Sequence, residues 1–224
     1  MKRAAALLFP LLLVSCSTPK PNQGSGLDLI EKDNAAAEAF RQQFAAYAVT
    51  VVPVFELTET KKLSERMALK NVGGAKIELV LGDRWKKAVQ YSPLRTESRY
   101  RVVGAGGKVL ASAESVMALQ DIGDEQIPEH IRVSLDKATG GFLVDEEHNW
   151  STRRFIAFRP GAEGSAWDVK VFHLPDRRSF PPIGPHSRCL GLFNGMVYFE
   201  CADQTFAIPV EKLPEVEDLG YSFG

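Results

Sequence analysis

Residues 189–201 have the sequence CLGLFNGMVYFEC, in which apolar residues flank a central Asn194-Gly195 pair. Both of these residues tolerate a positive φ, and Asn-Gly between alternating apolar residues is the strongest short-range signal for a β-hairpin. A two-residue turn would pair Leu192 with Val197 and leave one face of the hairpin apolar. The stretch therefore predicts two antiparallel strands that pack against a core.

Short β-rich stretches recur on both sides of this hairpin, and turn residues separate them. Their spacing is typical of an antiparallel sandwich or barrel, and strand–helix alternation is too sparse for a parallel α/β sheet. The sequence therefore predicts an α+β fold that is mainly antiparallel β and sandwich- or barrel-like. The predicted strands are residues 76–81, 99–103, 108–119, 131–135, 142–144, 154–158, 166–174, 189–193, 196–201 and 205–210.

One amphipathic helix is expected near the N-terminus, because Phe40, Phe44 and Tyr47 recur at spacings of four and three residues. This stripe favours a helix that packs its apolar face on a sheet. A surface helix that contacts lipid or a partner is the alternative, although its other face is not strongly basic.

The first fifteen residues have the organisation of an export signal, in which Lys2 and Arg3 precede a short apolar run. The run is shorter than the roughly 20 apolar residues that a membrane-spanning helix needs. A buried N-terminal helix of the folded domain is the alternative, but it does not explain the cysteine that follows or the polar, Pro-rich residues after it.

The segment Leu13-Val14-Ser15-Cys16 resembles the lipobox of bacterial lipoproteins. The resemblance covers residues 1–16 and implies cleavage before Cys16 and attachment of diacylglycerol to its sulfur. Two or three acyl chains hold a protein on a membrane far more firmly than one. The resemblance implies an anchor on the extracytoplasmic side of the envelope. Residue 17 is Ser rather than Asp, which is compatible with transfer to the outer membrane, facing the periplasm, if the cell is Gram-negative.

The resemblance also predicts how the chain is divided. Residues 1–15 would be the signal peptide, and residues 16–26 the lipidated cysteine with a flexible tether that has no apolar residue after Cys16 to bury. A single globular domain would cover residues 27–224, with a possible subdivision near the acidic connection 121–129.

The two remaining cysteines form an even pair in an oxidising compartment. The simplest hairpin register places Cys189 opposite Glu200, one residue short of Cys201. A three-residue loop or a bulge would bring the two cysteines face to face. We therefore predict a disulfide between Cys189 and Cys201; a catalytic thiol is the alternative, and it would need a nearby base.

Charge is distributed unevenly although the net charge is −1. Residues 60–108 contain twelve Lys or Arg and four Asp or Glu, whereas residues 121–147 contain two Lys or Arg and eight Asp or Glu. The basic and the acidic region can neutralise each other's charge within the folded domain. The alternative is a basic surface that binds an anionic envelope polymer or lipid headgroups. The candidate binding residues are Arg84, Trp85, Lys86, Lys87, Arg95, Arg99 and Arg101.

Three tryptophans suggest carbohydrate binding as a further alternative, because flat aromatic rings stack on sugar faces. Trp85 has the most surface-like context of the three, whereas a single Trp in a strand, such as Trp150 or Trp167, more often belongs to a core.

No catalytic motif is visible in the sequence. The four histidines have no metal-ligand spacing, and no Gly-x-Ser-x-Gly nucleophile motif occurs. Residues 145–148, Asp-Glu-Glu-His, could supply metal ligands, but such a cluster is more typical of a solvated loop. The glycines at 104–107 join two predicted strands and favour a hairpin turn over a phosphate site. We therefore expect no metal and no cofactor.

The export signal and the lack of a catalytic pattern favour a lipid-anchored, non-enzymatic envelope protein that binds or assembles with another protein or an envelope polymer. The alternative is a β-sandwich module that binds or hydrolyses glycan. Nucleic acid is a poor partner for an exported, lipid-anchored protein.

Overall fold

The strands form three antiparallel sheets in the structure, which is a computed structural model of the chain. The structure describes residues 26–50, 58–63, 69–85, 94–119, 124–146, 154–162, 166–173, 187–201 and 203–213. Every strand pairing within these ranges is antiparallel. The prediction of a mainly antiparallel β fold is therefore confirmed.

The described part of the chain begins with helix α1 (Gly26–Phe44), which continues into a 3-10 helix over Ala45–Tyr47. Further 3-10 helices cover Asp124–His130 and Val210–Lys212. The strands are β1 (Ala48–Val49), β2 (Thr58–Lys62), β3 (Lys76–Trp85), β4 (Leu94–Val103), β5 (Val109–Leu119), β6 (Ile131–Asp136), β7 (Phe142–Glu146), β8 (Arg154–Arg159), β9 (Asp168–His173), β10 (Ser187–Phe193), β11 (Met196–Cys201) and β12 (Gln204–Pro209).

The three sheets differ in size and strand order. A four-stranded sheet has the order β1-β12-β11-β10, and a five-stranded sheet has the order β2-β6-β7-β8-β9. The third sheet, β3-β4-β5, is a meander in which neighbouring strands follow each other in sequence. Strand β10 also lies against β2, β6 and β7, which brings the four-stranded sheet onto the five-stranded one.

The five-stranded sheet is the centre of the molecule, because its middle strands β7 and β8 are buried on both faces. Successive side chains of a strand point to opposite faces. Leu143 and Phe155 join a core cluster with α1 and the four-stranded sheet. Val144 and Ile156 join a second cluster with the three-stranded sheet. The central sheet therefore separates two hydrophobic cores.

Helix α1 packs on the four-stranded sheet through its aromatic residues. Phe40 and Phe44 are buried, and the Phe40 ring meets the edge of Phe206 at a centroid distance of 5.3 Å. Such aromatic pairs contribute about 0.5–1.5 kcal/mol beyond the area they bury. Neither α1 nor any other helix in the described ranges is long and apolar enough to cross a membrane.

The hairpin of β10 and β11 turns at Asn194 and Gly195, whose φ values are 49° and 73°. The turn pairs Leu192 with Val197, as the sequence predicts. The register shifts within β10, next to Gly191, whose φ of 138° favours glycine. A β-bulge therefore interrupts the outer half of the hairpin.

A buried carboxylate holds the turn between β6 and β7. Asp136 Oδ1 accepts hydrogen bonds from the backbone N–H groups of Ala138 and Thr139 at 2.9 and 3.3 Å, and the Thr139 hydroxyl donates to Oδ2 at 2.6 Å. The Gly195 N–H also donates to Oδ2 at 3.2 Å. Asp136 therefore connects the β6–β7 turn to the β10–β11 turn.

The acidic connection that the sequence marks as a possible domain boundary contributes to a core. Ile127, in the 3-10 helix Asp124–His130, is fully buried in the cluster between the central and three-stranded sheets. The division of the chain into domains stays a prediction.

Candidate functional site

A second buried carboxylate, that of Glu146, ends β7 on the face of the central sheet that meets the three-stranded sheet. The side chain is fully buried. Tyr100 Oη donates a hydrogen bond to its Oε1 and Ser115 Oγ donates one to its Oε2, each at 2.7 Å. Burial of a carboxylate is unfavourable unless it is hydrogen-bonded. The hydrogen bonds from these two hydroxyls, on β4 and β5, therefore offset the cost of burying the carboxylate.

An arginine lies beside the same carboxylate. Arg154 is directly opposite Glu146 in the pairing of β7 with β8, and it is 7% exposed. Its Nη1 donates to Ser115 Oγ at 2.7 Å, so the serine hydroxyl bridges the two charged side chains. We call Tyr100, Ser115, Glu146 and Arg154 the Glu146 cluster.

The rows of side chains that face the core on β4 and β5 change from apolar to polar toward this cluster. On β4 the buried row runs from Val102 through Tyr100 to Ser98 and Thr96. Ser98 lies opposite Ser115 and donates to its backbone carbonyl at 3.3 Å. The alternation of the strands thus places a hydroxyl-rich strip against the acid and the arginine.

Tyr100 titrates abnormally because of this environment. Burial, and then the charge of Glu146, raise the pKa of Tyr100 well above its usual value of 10.0. The hydroxyl is therefore a permanent hydrogen-bond donor at neutral pH.

An open pocket of about 410 Å³ lies beside the Glu146 cluster, at the bulge of β3 between Leu81 and Arg84. A Cβ on Gly82 would lie 2.9 Å from the Cβ of Glu97, so the bulge needs glycine at this position. We call this space the Gly82 pocket. The polar residues that border it are Ser98, Ser115 and Arg154 of the buried face and Glu97, Arg99 and Glu114 of the exposed face. Its aliphatic lining consists of Val80, Leu81 and Val116.

The exposed face of the three-stranded sheet carries cations and carboxylates in pairs. Arg99 Nε donates to Glu114 Oε1 at 3.0 Å, and Arg101 lies 3.5 Å from Glu78. Lys76 Nζ is 2.8 Å from Glu78 Oε1, and this hydrogen bond lowers the pKa of Glu78. The positive charge of this face is therefore largely balanced within the face itself.

The residues predicted to form a basic binding surface are only partly brought together. Arg99 and Arg101 alternate along β4 and share one face of the sheet, and Arg95 belongs to the same strand. Trp85 lies directly opposite Arg95, and Arg84 is opposite Thr96 on β4. Lys86 and Lys87 lie outside the described residues. The role of these side chains in binding stays a prediction.

The predicted disulfide between Cys189 and Cys201 is wrong, because the structure forms no disulfide between these two residues. The bulge next to Gly191 pairs Cys189 with Phe199 and Cys201 with Ser187. The extra residue lies in β10, which moves Cys189 away from Cys201 instead of toward it. Diagonal neighbours of this kind have Cα atoms about 7–8 Å apart, too far for a bridge without backbone movement. Cys16 lies outside the described residues.

Sequence reasoning missed the Glu146 cluster. Asp145 and Glu146 belong to β7 and are buried, so the assignment of residues 145–148 to a solvated loop is wrong for these two; the other two lie outside the described residues. The signal in the sequence is that Thr96 and Ser98 carry hydroxyls at even-numbered positions of β4. These positions form the buried row of the strand, where apolar residues are expected. Among the described residues, no three His, Cys, Asp or Glu side chains lie together as metal ligands would.

Trp167 packs against the core between the central and the three-stranded sheet. The half-buried Trp167 stacks on Phe142, with a centroid distance of 6.2 Å and an interplanar angle of 14°. One of its faces is therefore occupied by the core, and it is a poorer sugar platform than an exposed ring. Trp150 lies outside the described residues.

The Glu146 cluster also has the composition of a nucleophile with a base, since a serine hydroxyl donates to a carboxylate. However, Ser115 accepts a hydrogen bond from Arg154, and Glu146 accepts a second hydrogen bond from Tyr100. This geometry is that of a buried hydrogen-bonded network in which the serine hydroxyl is already engaged on both sides.

Comparison of the chain with known proteins gave no match to a protein-family model, to a curated protein sequence or to a solved structure.

Proposed function

We propose that this chain is a lipid-anchored protein of the bacterial cell envelope that binds another protein or an envelope polymer without catalysing a reaction. The observation that carries the proposal is the sequence Leu13-Val14-Ser15-Cys16 after a basic start and a short apolar run. Residues 17–26 would then form the tether between the lipid and an amphipathic helix, and a sandwich-like domain would follow. The anchor would lie in the outer membrane, facing the periplasm, if the cell is Gram-negative.

The three-stranded sheet supplies the binding surface in this proposal. One face is exposed and carries Arg99 and Glu114, and the Gly82 pocket opens at its bulge. Ion pairs such as Arg99–Glu114 and Arg101–Glu78 lower the attraction of this face for a polyanion. They favour a partner that offers matched hydrogen bonds over one that offers negative charge alone.

A module that binds or hydrolyses glycan is the second candidate. The observation in its favour is that the backbone register of β3 with β4 pairs Trp85 with Arg95, on the strand that also contains Gly82. An aromatic ring can stack on the face of a sugar, and a guanidinium can donate hydrogen bonds to sugar hydroxyl groups.

The anchor is tested by growing cells that express the full chain with an alkyne-bearing fatty acid and by measuring the label on the purified protein. We expect label on the native chain, loss of label in Cys16→Ala, and unchanged label in Cys189→Ser. Equal labelling of the native chain and Cys16→Ala would contradict the anchor.

The binding role is tested by crosslinking in intact cells, followed by purification of the full chain. We expect a partner protein or envelope polymer to be recovered in a defined ratio to the chain. Recovery of the chain alone from crosslinked envelopes would contradict the binding role.

A further inference from the structure

We propose that the exposed face of the three-stranded sheet docks another protein, which places a lysine or arginine side chain over Gly82 and against the carboxylate of Glu97. This inference rests on the proposed binding function and assigns the surface and the chemistry of the partner. We call the surface the Glu97 surface, and its residues are Val80, Gly82, Glu97, Arg99, Glu114 and Val116.

The register of the three strands places these residues side by side. Arg99 lies opposite Val80 on β3, and Glu97 lies opposite Val116 on β5. A Cβ on Gly82 would be 2.9 Å from the Cβ of Glu97, so the glycine is the neighbour of Glu97 on the β3 side. Because every second residue of a strand faces the same side, the two rows form one continuous patch on the face turned away from the central sheet.

Exposed apolar side chains are concentrated on this sheet. Among the residues that the structure describes, the large hydrophobic side chains that are exposed are those of Val72, Val80 and Val109. Val80 and Val109 belong to the sheet, and Val72 lies in the turn before β3. Apolar area that collects on one element is more typical of an interaction surface than of a solvated face. This distribution favours a protein as the partner.

The charges of the face leave one carboxylate without a cation. Arg99 Nε donates to Glu114 Oε1 at 3.0 Å, and Lys76 lies 2.8 Å from Glu78. Glu97 is exposed and forms no ion pair within the described part of the chain. A protein that covers this face removes water from Glu97, and a carboxylate without water is unfavourable unless it receives hydrogen bonds. A cationic donor is the most favourable replacement, since charge-assisted hydrogen bonds are the stronger ones.

The depression at Gly82 fits a long cationic side chain. A Cβ on Gly82 would lie 3.1 Å from Glu97 Oε2, so the carboxylate lies beside the place where any other residue would carry its side chain. The methylene groups of lysine and arginine can lie along apolar surface while the charged group contacts a carboxylate. Val80, two residues before Gly82, and Val116, opposite Glu97, supply this apolar surface.

Other ligands fit the Glu97 surface less well. An anionic polymer would meet the carboxylates of Glu97 and Glu114, while the guanidinium of Arg99 is already paired. A small free cation would gain little, because an exposed ion pair contributes at most about 1 kcal/mol. A protein adds the burial of Val80 and Val116 to the ion pair, which makes a defined complex attainable.

The test is photocrosslinking in intact cells with p-benzoylphenylalanine in place of Val80 in the full chain. The matched control carries the same photocrosslinker in place of Gln42, which is exposed on α1. Two charge variants are combined with the photocrosslinker at position 80. Glu97→Lys reverses the charge of the proposed contact, and Glu125→Lys reverses an exposed carboxylate in the 3-10 helix Asp124–His130. Thermal unfolding midpoints close to that of the native chain establish that each variant is folded.

We expect a protein adduct of defined mass from position 80 and no adduct of that mass from position 42. Glu97→Lys should lower the yield about tenfold, since it replaces an attraction by a repulsion, whereas Glu125→Lys should leave the yield unchanged. Mass spectrometry of the adduct identifies the lysine or arginine of the partner nearest the crosslink. Changing that residue to Glu should restore the yield with Glu97→Lys.

The inference is overturned if position 80 gives no protein adduct, if Glu97→Lys leaves the yield unchanged, or if the charge exchange in the partner fails to restore it. An adduct of two copies of the chain overturns it as well and assigns the face to self-association. If the crosslinking described above still recovers a partner in a defined ratio while position 80 gives no adduct, the proposed binding function stands and only the Glu97 surface fails.

Discussion

Two buried carboxylates lie at opposite ends of the β6–β7 pair, and the chain satisfies them in different ways. Asp136 is held mainly by its own turn, because Ala138 and Thr139 follow it directly in the sequence. Glu146 receives its two hydrogen bonds from β4 and β5, 46 and 31 residues away in the chain. One carboxylate is therefore satisfied locally, and the other only after two sheets have docked.

This difference separates a structural acid from a candidate site. The donors of Asp136 are backbone amides and one threonine, and they fix a turn. The Glu146 cluster instead collects an arginine and two hydroxyls beside the Gly82 pocket. Polar groups that depend on each other in this way are costly to leave half-satisfied, and together they hold one another in fixed positions.

The largest effect is expected from Glu146→Ala. The change leaves the guanidinium of Arg154 buried without the facing carboxylate and removes the acceptor of Tyr100. Loss of one partner from a buried charged network costs about 3–5 kcal/mol. Urea unfolding of the full chain measures this loss.

Two variants control for that result. Glu114→Ala removes an exposed carboxylate of a surface ion pair and should cost no more than about 1 kcal/mol. The double variant Glu146→Leu with Arg154→Met should be more stable than Glu146→Ala, because it removes both charged groups and keeps the volume. A loss for Glu146→Ala no larger than that for Glu114→Ala would contradict the importance of the cluster.

An intermediate effect on stability is expected from the ionisation of two tyrosines, Tyr100 near Glu146 and Tyr198 near Asp136. Burial raises the pKa of both Tyr100 and Tyr198, and the charges of Glu146 and Asp136 contribute in the same direction. Because the folded-state pKa is raised, the stabilisation is complete below about pH 10, where tyrosine is neutral in the unfolded chain. It is lost as the pH rises from there toward the folded-state pKa, by up to about 1.4 kcal/mol per pH unit for each tyrosine.

Urea unfolding from roughly pH 9 to pH 11, a range that brackets the usual tyrosine pKa, tests this dependence. Stability of the native chain should fall over the upper half of this range, and Tyr100→Phe should flatten the profile more than Tyr198→Phe. Equal flattening by the two variants would show that the two carboxylate environments do not differ as described.

The smallest effect is expected from Thr139→Ala, which removes the hydroxyl that donates to Asp136 Oδ2. The two backbone amides and the Gly195 N–H still satisfy the carboxylate, and the long hydrogen bond that the hydroxyl accepts from the Gly141 N–H is also lost. The loss should therefore be about 1–2 kcal/mol, since a hydrogen bond has a usual net value of about 1 kcal/mol. The free energy of unfolding from urea titration gives the value. A loss as large as that of Glu146→Ala would remove the distinction between the two acids.

Much of the fold is predictable from the sequence, because strands and turns are marked by neighbouring residues. Asn194 and Gly195 adopt the positive φ values that an Asn-Gly hairpin needs, and most predicted strands match observed ones within a few residues. The bulge next to Gly191 is not predictable in this way, since glycine permits a bulge without fixing its side. The disulfide prediction failed for that reason.

The candidate site is less predictable, because its members come from four strands. Tyr100, Ser115, Glu146 and Arg154 are far apart in the chain, and each has an ordinary local context. The sequence shows only that hydroxyl residues occupy buried positions of β4. Which acid and which cation those hydroxyls meet is decided by how the three-stranded sheet docks on the central sheet.

Hydrogen–deuterium exchange of the native full chain and of Glu146→Ala tests the central claim most directly. The claim is that the Glu146 carboxylate is satisfied only when the three-stranded sheet docks on the central sheet, whereas the Asp136 carboxylate is satisfied by its own turn. We predict faster exchange in Glu146→Ala in peptides that contain Ser98 and Ser115, and unchanged exchange at residues 136–141. Faster exchange confined to residues 136–141, or no change at any peptide, would contradict it.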